Sequence, residues 1–129
     1  MLLLVAVVMA LMLRERIAEM TERRIHPQKV ASSSQMNAVL QNTRAADNYR
    51  NLFELPVLFY ALCLALYATQ GVNLAFVAAA WAYVGLRVLH SFIHIGYNKV
   101  MHRFSVFVTS SALLAAMWVA FVVQIAQRH

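Results

Sequence analysis

The chain has 129 residues, 62% of them hydrophobic and 12% charged, too apolar to clothe a soluble domain in polar groups. Three glycines and two prolines are too few to punctuate the short strands of a membrane barrel, so helices remain as the way to satisfy the backbone in lipid. A formal net charge of +6 does not point to nucleic acid, because the cations cluster between apolar segments and are not interleaved with exposed aromatics.

The first apolar run, Leu2 to Leu13, makes about 18 Å of helix, short of the roughly 30 Å of a hydrocarbon core. It spans only if the native chain starts earlier, or if the helix continues through Arg14 to about Arg24 with its charges sheltered. A cleaved signal peptide is disfavoured, since the cations follow the apolar run and no Ala-x-Ala site is present. His26-Pro27 ends this helix, expected over 1–25, and the polar stretch from Ser32 to Asn42 reads as a connection. A second helix is expected over 43–69, polar through Arg44, Asp47, Asn48, Arg50, Asn51 and Glu54 and then apolar, with Pro56 placed to kink it. The third, over 72–98, carries Arg87, His90 and His94 at spacings of three and four, hence on one face. The fourth, over 103–127, opens on Arg103 and closes on Gln127, Arg128 and His129.

These elements predict an all-α membrane protein forming a single domain over 1–129, a four-helix up-down bundle. Arg14, Arg16, Arg23, Arg24, Lys29, Arg44 and Arg50 precede the second apolar run, and Arg87, Lys99 and Arg103 flank the third connection, whereas the turn from Ala68 to Leu74 has no charge. The positive-inside rule therefore places the first and third connections in the cytoplasm.

In that topology Arg14, Arg50, Asn51, Glu54, Arg87, His90, His94 and Arg103 fall at one depth. Ionisable groups at membrane depth are costly and mark a wet, protein-lined site, while Arg16, Arg23, Arg24, Lys29 and Lys99 are explained by reaching for headgroups. Glu54, inside an apolar run, wants a cation from Arg50 or from another helix. Four arginines against one glutamate favour an anionic ligand with carboxylates. His90 and His94 at i and i+4 raise a metal site, but two ligands from one chain are too few, and no metal is expected. Cys63 reads as a small buried hydrophobe, and Trp81, Tyr83, Phe92 and Trp118 as packing or lipid-facing groups.

The residues Arg50-Asn51-Leu52-Phe53-Glu54 resemble the Arg-Asn-x-x-Glu motif of the MAPEG family, the membrane-associated proteins of eicosanoid and glutathione metabolism, and Arg87-Val88-Leu89-His90 is similar to that family's Arg-x-x-His element. Arg103 stands at the family's distance from Arg87, and the resemblance covers essentially the whole chain. It implies a homotrimer of four-helix subunits with glutathione bound between neighbours near the cytoplasmic face as co-substrate. Arg14, Arg50, Asn51, Glu54, Arg87, His90 and His94 would be its contacts and Arg103 the catalytic cation, with lipids, a hydrophobic small-molecule substrate and a membrane-protein partner as further associates. The activity implied is a glutathione transferase or peroxidase acting on hydrophobic electrophiles through a stabilised thiolate.

The chain departs from the pattern at three positions. Phe107 and His94 stand where eicosanoid-type members carry tyrosines, and Asp47 where some carry a further arginine. Tyr49, Tyr97 and Ser105 are the nearby hydroxyls. These departures keep a second expectation open, a non-catalytic trimeric scaffold or accessory subunit that retains the fold.

Overall fold

The computed structural model describes residues 1–30 and 32–128, so His129, the last of the residues expected to close the fourth helix, lies outside the described residues. Helix α1 is Leu2–Glu22, α2 Ser33–Val39, α3 Arg44–Asn51, α4 Leu55–Ala68, α5 Leu74–Ile95 and α6 Val100–Ala126, with one 3-10 turn at Pro27–Val30. The described residues are all helix, turn or irregular, with no strand. The chain divides into two compact units, Met1–Arg50 and Asn51–His129.

In the first unit, α1 stops before Pro27. Arg24 adopts a left-handed φ of 50°, and the N–H groups of Arg24 and Ile25 return to the carbonyls of Thr21 and Met20, a helix-ending motif that usually uses glycine. Ser32 and Gln35 then form a reciprocal capping box that starts α2. The carboxylate of Glu19 binds the segment after α2: the N–H of Gln41 donates to Oε1 at 2.7 Å and that of Asn42 to Oε2 at 3.2 Å. Arg23 ties the same clasp, donating to Glu19 Oε1 at 2.7 Å and to the Val39 carbonyl at 2.8 Å. Met12 of α1 packs with Ala45 and Ala46 of α3 in a small apolar core edged by Leu11 and Tyr49.

The helix expected over 43–69 comes in two pieces. Thr43 and Asp47 pair at the start of α3, Oγ1 to Oδ2 at 2.9 Å, and the chain turns at Leu52, Phe53 and Glu54 before α4 begins. Pro56 sits in the first turn of α4, where a missing N–H costs nothing, whereas inside a continuous helix its ring would strike the carbonyl four residues back. Proline therefore starts a helix here instead of bending one.

Among the described residues three helical segments are long and apolar enough to cross a membrane: Arg44–Ala68, Leu74–Ile95 and Val100–Ala126. The chain is an integral membrane protein on this ground. Helix α1 has a sufficient length of about 31 Å, but Arg14, Glu15, Arg16 and Glu19 interrupt its apolar run. In the second unit α5 and α6 pack along their lengths, α5 burying Phe76, Tyr83, Arg87, His90 and His94 at helical spacing and α6 burying Ser110, Leu114 and Met117. Helix α4 faces the interior with Phe59, Leu62 and Leu66, and Phe59 stacks on Tyr83 with ring centroids 4.6 Å apart. Leu64, Trp81, Phe92 and Val119 are exposed, apolar surface that lipid or another subunit must cover. At the far end Arg128 donates to the carbonyls of Thr69 and Gln70, and Gln124 to that of Gly71. A Cβ on Gly71 would stand 3.0 Å from Gln124 Nε2, so a larger residue there would have to displace that side-chain amide slightly.

Candidate functional site

The site grows from the buried face of α5. Arg87, fully buried, is one turn past Tyr83 and one turn before His90. Its Nη2 donates to the carbonyl of Asn51 at 2.8 Å, the last residue of α3, whose C-terminal carbonyls lack partners within the helix. The break between α3 and α4 thus supplies the acceptor that holds the guanidinium. Cζ of Arg87 also lies 5.8 Å from the centre of the Phe107 ring of α6. Nε and Nη1 of Arg87 are buried without a hydrogen-bond partner, as is Nδ1 of His90. Unpaired buried donors are expensive in a low dielectric, and a cluster of them is suited to a polar ligand.

His90 and His94 follow one another with ring centroids 5.8 Å apart, and Phe107 stands 6.0 Å from His90. Arg103, half-buried in the first turn of α6, reaches back to α5: its Nη1 is 3.1 Å from His94 Nε2 and donates to Asn98 Oδ1 at 3.0 Å. Arginine has no acceptor, so His94 accepts at Nε2 and carries its own proton on Nδ1. A cavity of about 210 Å³ opens here, lined by Asn51, His90, Val100, Arg103, Phe104 and Phe107. Its walls combine a cation, an imidazole and an amide with two aromatic rings, a lining for an anionic ligand beside an apolar one.

Glu54 precedes α4, where the positive end of the helix dipole favours a carboxylate. It is exposed, and it lies within electrostatic reach of Arg87. Of the residues singled out from the sequence, Asn51, Glu54, Arg87, His90, His94 and Arg103 belong to the second unit, and hydrogen bonds or a shared cavity join all of them except Glu54. Arg14 and Arg50 belong to the first unit and are exposed there. Arg14 lines a separate, more polar cavity of about 620 Å³ with Glu15, Glu19, Glu22 and Arg23.

Asn98 is the partner that the sequence reading missed. The only signal lay in Gly96-Tyr97-Asn98, helix-ending residues in which asparagine tolerates a left-handed backbone. Of the three nearby hydroxyls, Ser105 donates to the Met101 carbonyl of its own helix and Tyr97 pairs with His102 Nδ1 at 3.2 Å. Tyr49 lies in the first unit. Among the described residues no three histidine, cysteine, aspartate or glutamate side chains group to hold a metal ion.

In comparisons with known proteins, a model of the MAPEG family matches residues 1–123. No curated protein and no solved structure matches the chain.

Proposed function

Because the chain belongs to the MAPEG family, a membrane family of glutathione-related function, we propose that it is a membrane-bound glutathione-binding protein acting as a transferase or peroxidase on hydrophobic electrophiles. The observation that carries this reading is the buried Arg87, with Nε and Nη1 unpaired, on the helix face that also presents His90 to the cavity shared with Arg103 and Asn51. Glutathione brings two carboxylates, an ammonium and a thiol. Arg87 and Arg103 supply positive potential for its anionic groups and favour its thiolate, Glu54 offers a partner for the ammonium, and Phe104 and Phe107 form an apolar wall for the electrophile. In conjugation, the thiolate sulfur forms a bond to an electrophilic carbon and the leaving group departs with the bonding pair.

The rest of the assembly follows from this reading. At about 210 Å³ the cavity within one chain is smaller than the ~300–1,000 Å³ of ordinary ligand pockets, which supports a site completed by a neighbouring subunit in a homotrimer. In that trimer α1 is a fourth span whose charged half is sheltered by protein, the connections after α1 and α5 face the cytoplasm of a bacterial inner membrane, and Arg14 and Arg50 join the ligand contacts.

The test is equilibrium titration of the purified protein in lipid nanodiscs with glutathione. Saturable, salt-sensitive binding is expected, and Glu54→Gln and Arg103→Ala should each weaken it by about ten-fold, the cost of one charge-assisted bond at roughly 1.5 kcal/mol or more. Unchanged affinity in both variants refutes the assignment. The scaffold reading is favoured by one observation, the phenyl ring at Phe107 where a hydroxyl would serve conjugation.

A further inference from the structure

Away from the candidate site, α5 and α6 enclose a further cavity of about 360 Å³ toward the turn at 69–73. Alanines make the room. Ala75 and Ala79 on α5, and Ala116 and Ala120 on α6, are each spaced by four and so share one face of their helix. Phe76 and Met117, both buried, form the floor. Ala75, Ala116 and Ala120 are exposed, so the cavity is a groove open along the side of two helices long and apolar enough to cross the membrane.

One end of the groove is polar and fixed. Asn73 accepts the N–H of Phe76 at 3.0 Å and so caps α5, Gln124 donates to the Gly71 carbonyl at 2.9 Å, and both residues line the groove. Arg128 follows Gln124 by one turn and donates to the carbonyls of Thr69 and Gln70. Both acceptors are neutral, so these bonds hold the cation in place without neutralising it. The other end is Leu113, in the middle of α6. From Gln124 to Leu113 the groove follows about 16 Å of helix, half of a hydrocarbon core of roughly 30 Å. An apolar trough one leaflet deep, with amides and a cation where the helices end, has the polarity and length of a single amphiphile of that leaflet. Contact with lipid is decided by van der Waals packing, and a hydrocarbon chain in a trough touches protein on more sides than one lying against a flat helix face.

We propose that this groove is a binding site for one membrane phospholipid, with an acyl chain lying between the alanines and the phosphate drawn to Arg128 and the amides of Asn73 and Gln124. The site is independent of the glutathione reading. It lies at the opposite end of α5 from Arg87, His90 and His94, and shares no lining residue with the cavity there.

The probe is a phosphatidylglycerol with a photoactivatable diazirine midway along one acyl chain, titrated into the purified full chain in an uncharged detergent, with adducts mapped by mass spectrometry. Labelling of residues 113–120 should saturate, while labelling of α4 around the exposed Leu64 should rise without saturating. The double variant Ala79→Leu, Ala116→Leu fills the groove and should remove the saturable component. Ala82→Leu, at an exposed position of α5 outside the groove, should leave it unchanged. Arg128→Gln should raise the half-saturating lipid concentration by about five-fold, the worth of one cation at a membrane surface, and it decides the matter if the filled variant fails to fold. Labelling of 113–120 that never saturates, that persists in the filled variant, or that Ala82→Leu removes equally overturns the site, and wild-type half-saturation in Arg128→Gln overturns the placing of the phosphate. Absence of saturable labelling together with loss of cross-linked oligomers in the filled variant would give the groove to a helix of a second copy and overturn the lipid.

Discussion

At the scale of single residues, Arg87 shows why charge is tolerated inside this bundle. A fully buried guanidinium persists because the break after α3 turns a backbone carbonyl toward it and because Phe107 lies under it; neither partner is a carboxylate, so its positive potential stays available to the proposed ligand. Phe107 is the residue on which the proposed catalysis turns. Its ring is 6.0 Å from His90 and faces the cavity, and a para hydroxyl there would donate a hydrogen bond to the reacting sulfur or oxygen. Phe107→Tyr is therefore expected to raise the rate of glutathione conjugation to a halogenated aromatic by at least about ten-fold over the wild-type protein, measured by absorbance of the conjugate against an Arg103→Ala control. Rates equal in all three proteins would favour the scaffold over the transferase.

At the scale of elements, two devices decide where helices end and how they are tied. Pro56 in the first turn of α4 and the left-handed Arg24, Gln70 and Asn98 set the breaks, and the Glu19–Arg23 clasp ties the segment at 39–42 to α1. Because the clasp is built on the ionised Glu19 carboxylate, which accepts from Gln41, Asn42 and Arg23, its stabilisation is present while that group is charged and is lost as acid protonates it. Hydrogen-exchange protection of the Gln41 and Asn42 amides, corrected for intrinsic rates, should decline with that protonation. Glu19→Ala should abolish that decline by removing the protection already at neutral pH, a loss of roughly 1.5–3 kcal/mol for bonds to a charged acceptor. Protection independent of Glu19 would show the segment to be held by something else.

At the scale of the whole molecule, the apolar residues left exposed on the three spans and the cations crowded on two connections set how the protein meets the bilayer. In a Cys63→Ala background, a cysteine at Gln70 should react with a membrane-impermeant maleimide on intact cells, whereas cysteines at Lys29 and Lys99 should react only after permeabilisation. The opposite pattern would invert the topology and move the site to the other face. Cross-linking of the protein in native membranes should end at a trimer band; a ladder ending at the dimer would overturn the trimer, and one ending at the monomer would remove the neighbouring subunit from the proposed site.

Helical class and membrane residence were legible in the sequence because each rests on a local quantity. Apolar runs of sufficient length, the spacing of Arg87, His90 and His94, and the order of short motifs on successive segments are all read along one strand of text. The break at 52–54, the clasp on Glu19 and the anchoring of Arg103 by Asn98 were not, because each depends on a backbone group or side chain brought near by folding: the Asn51 carbonyl, the Gln41 amide, an asparagine on the far side of a turn. Hydrophobic periodicity reports which face of a helix is buried; hydrogen-bond partners across a turn or between helices leave no periodic trace, and only the three-dimensional arrangement assigns them.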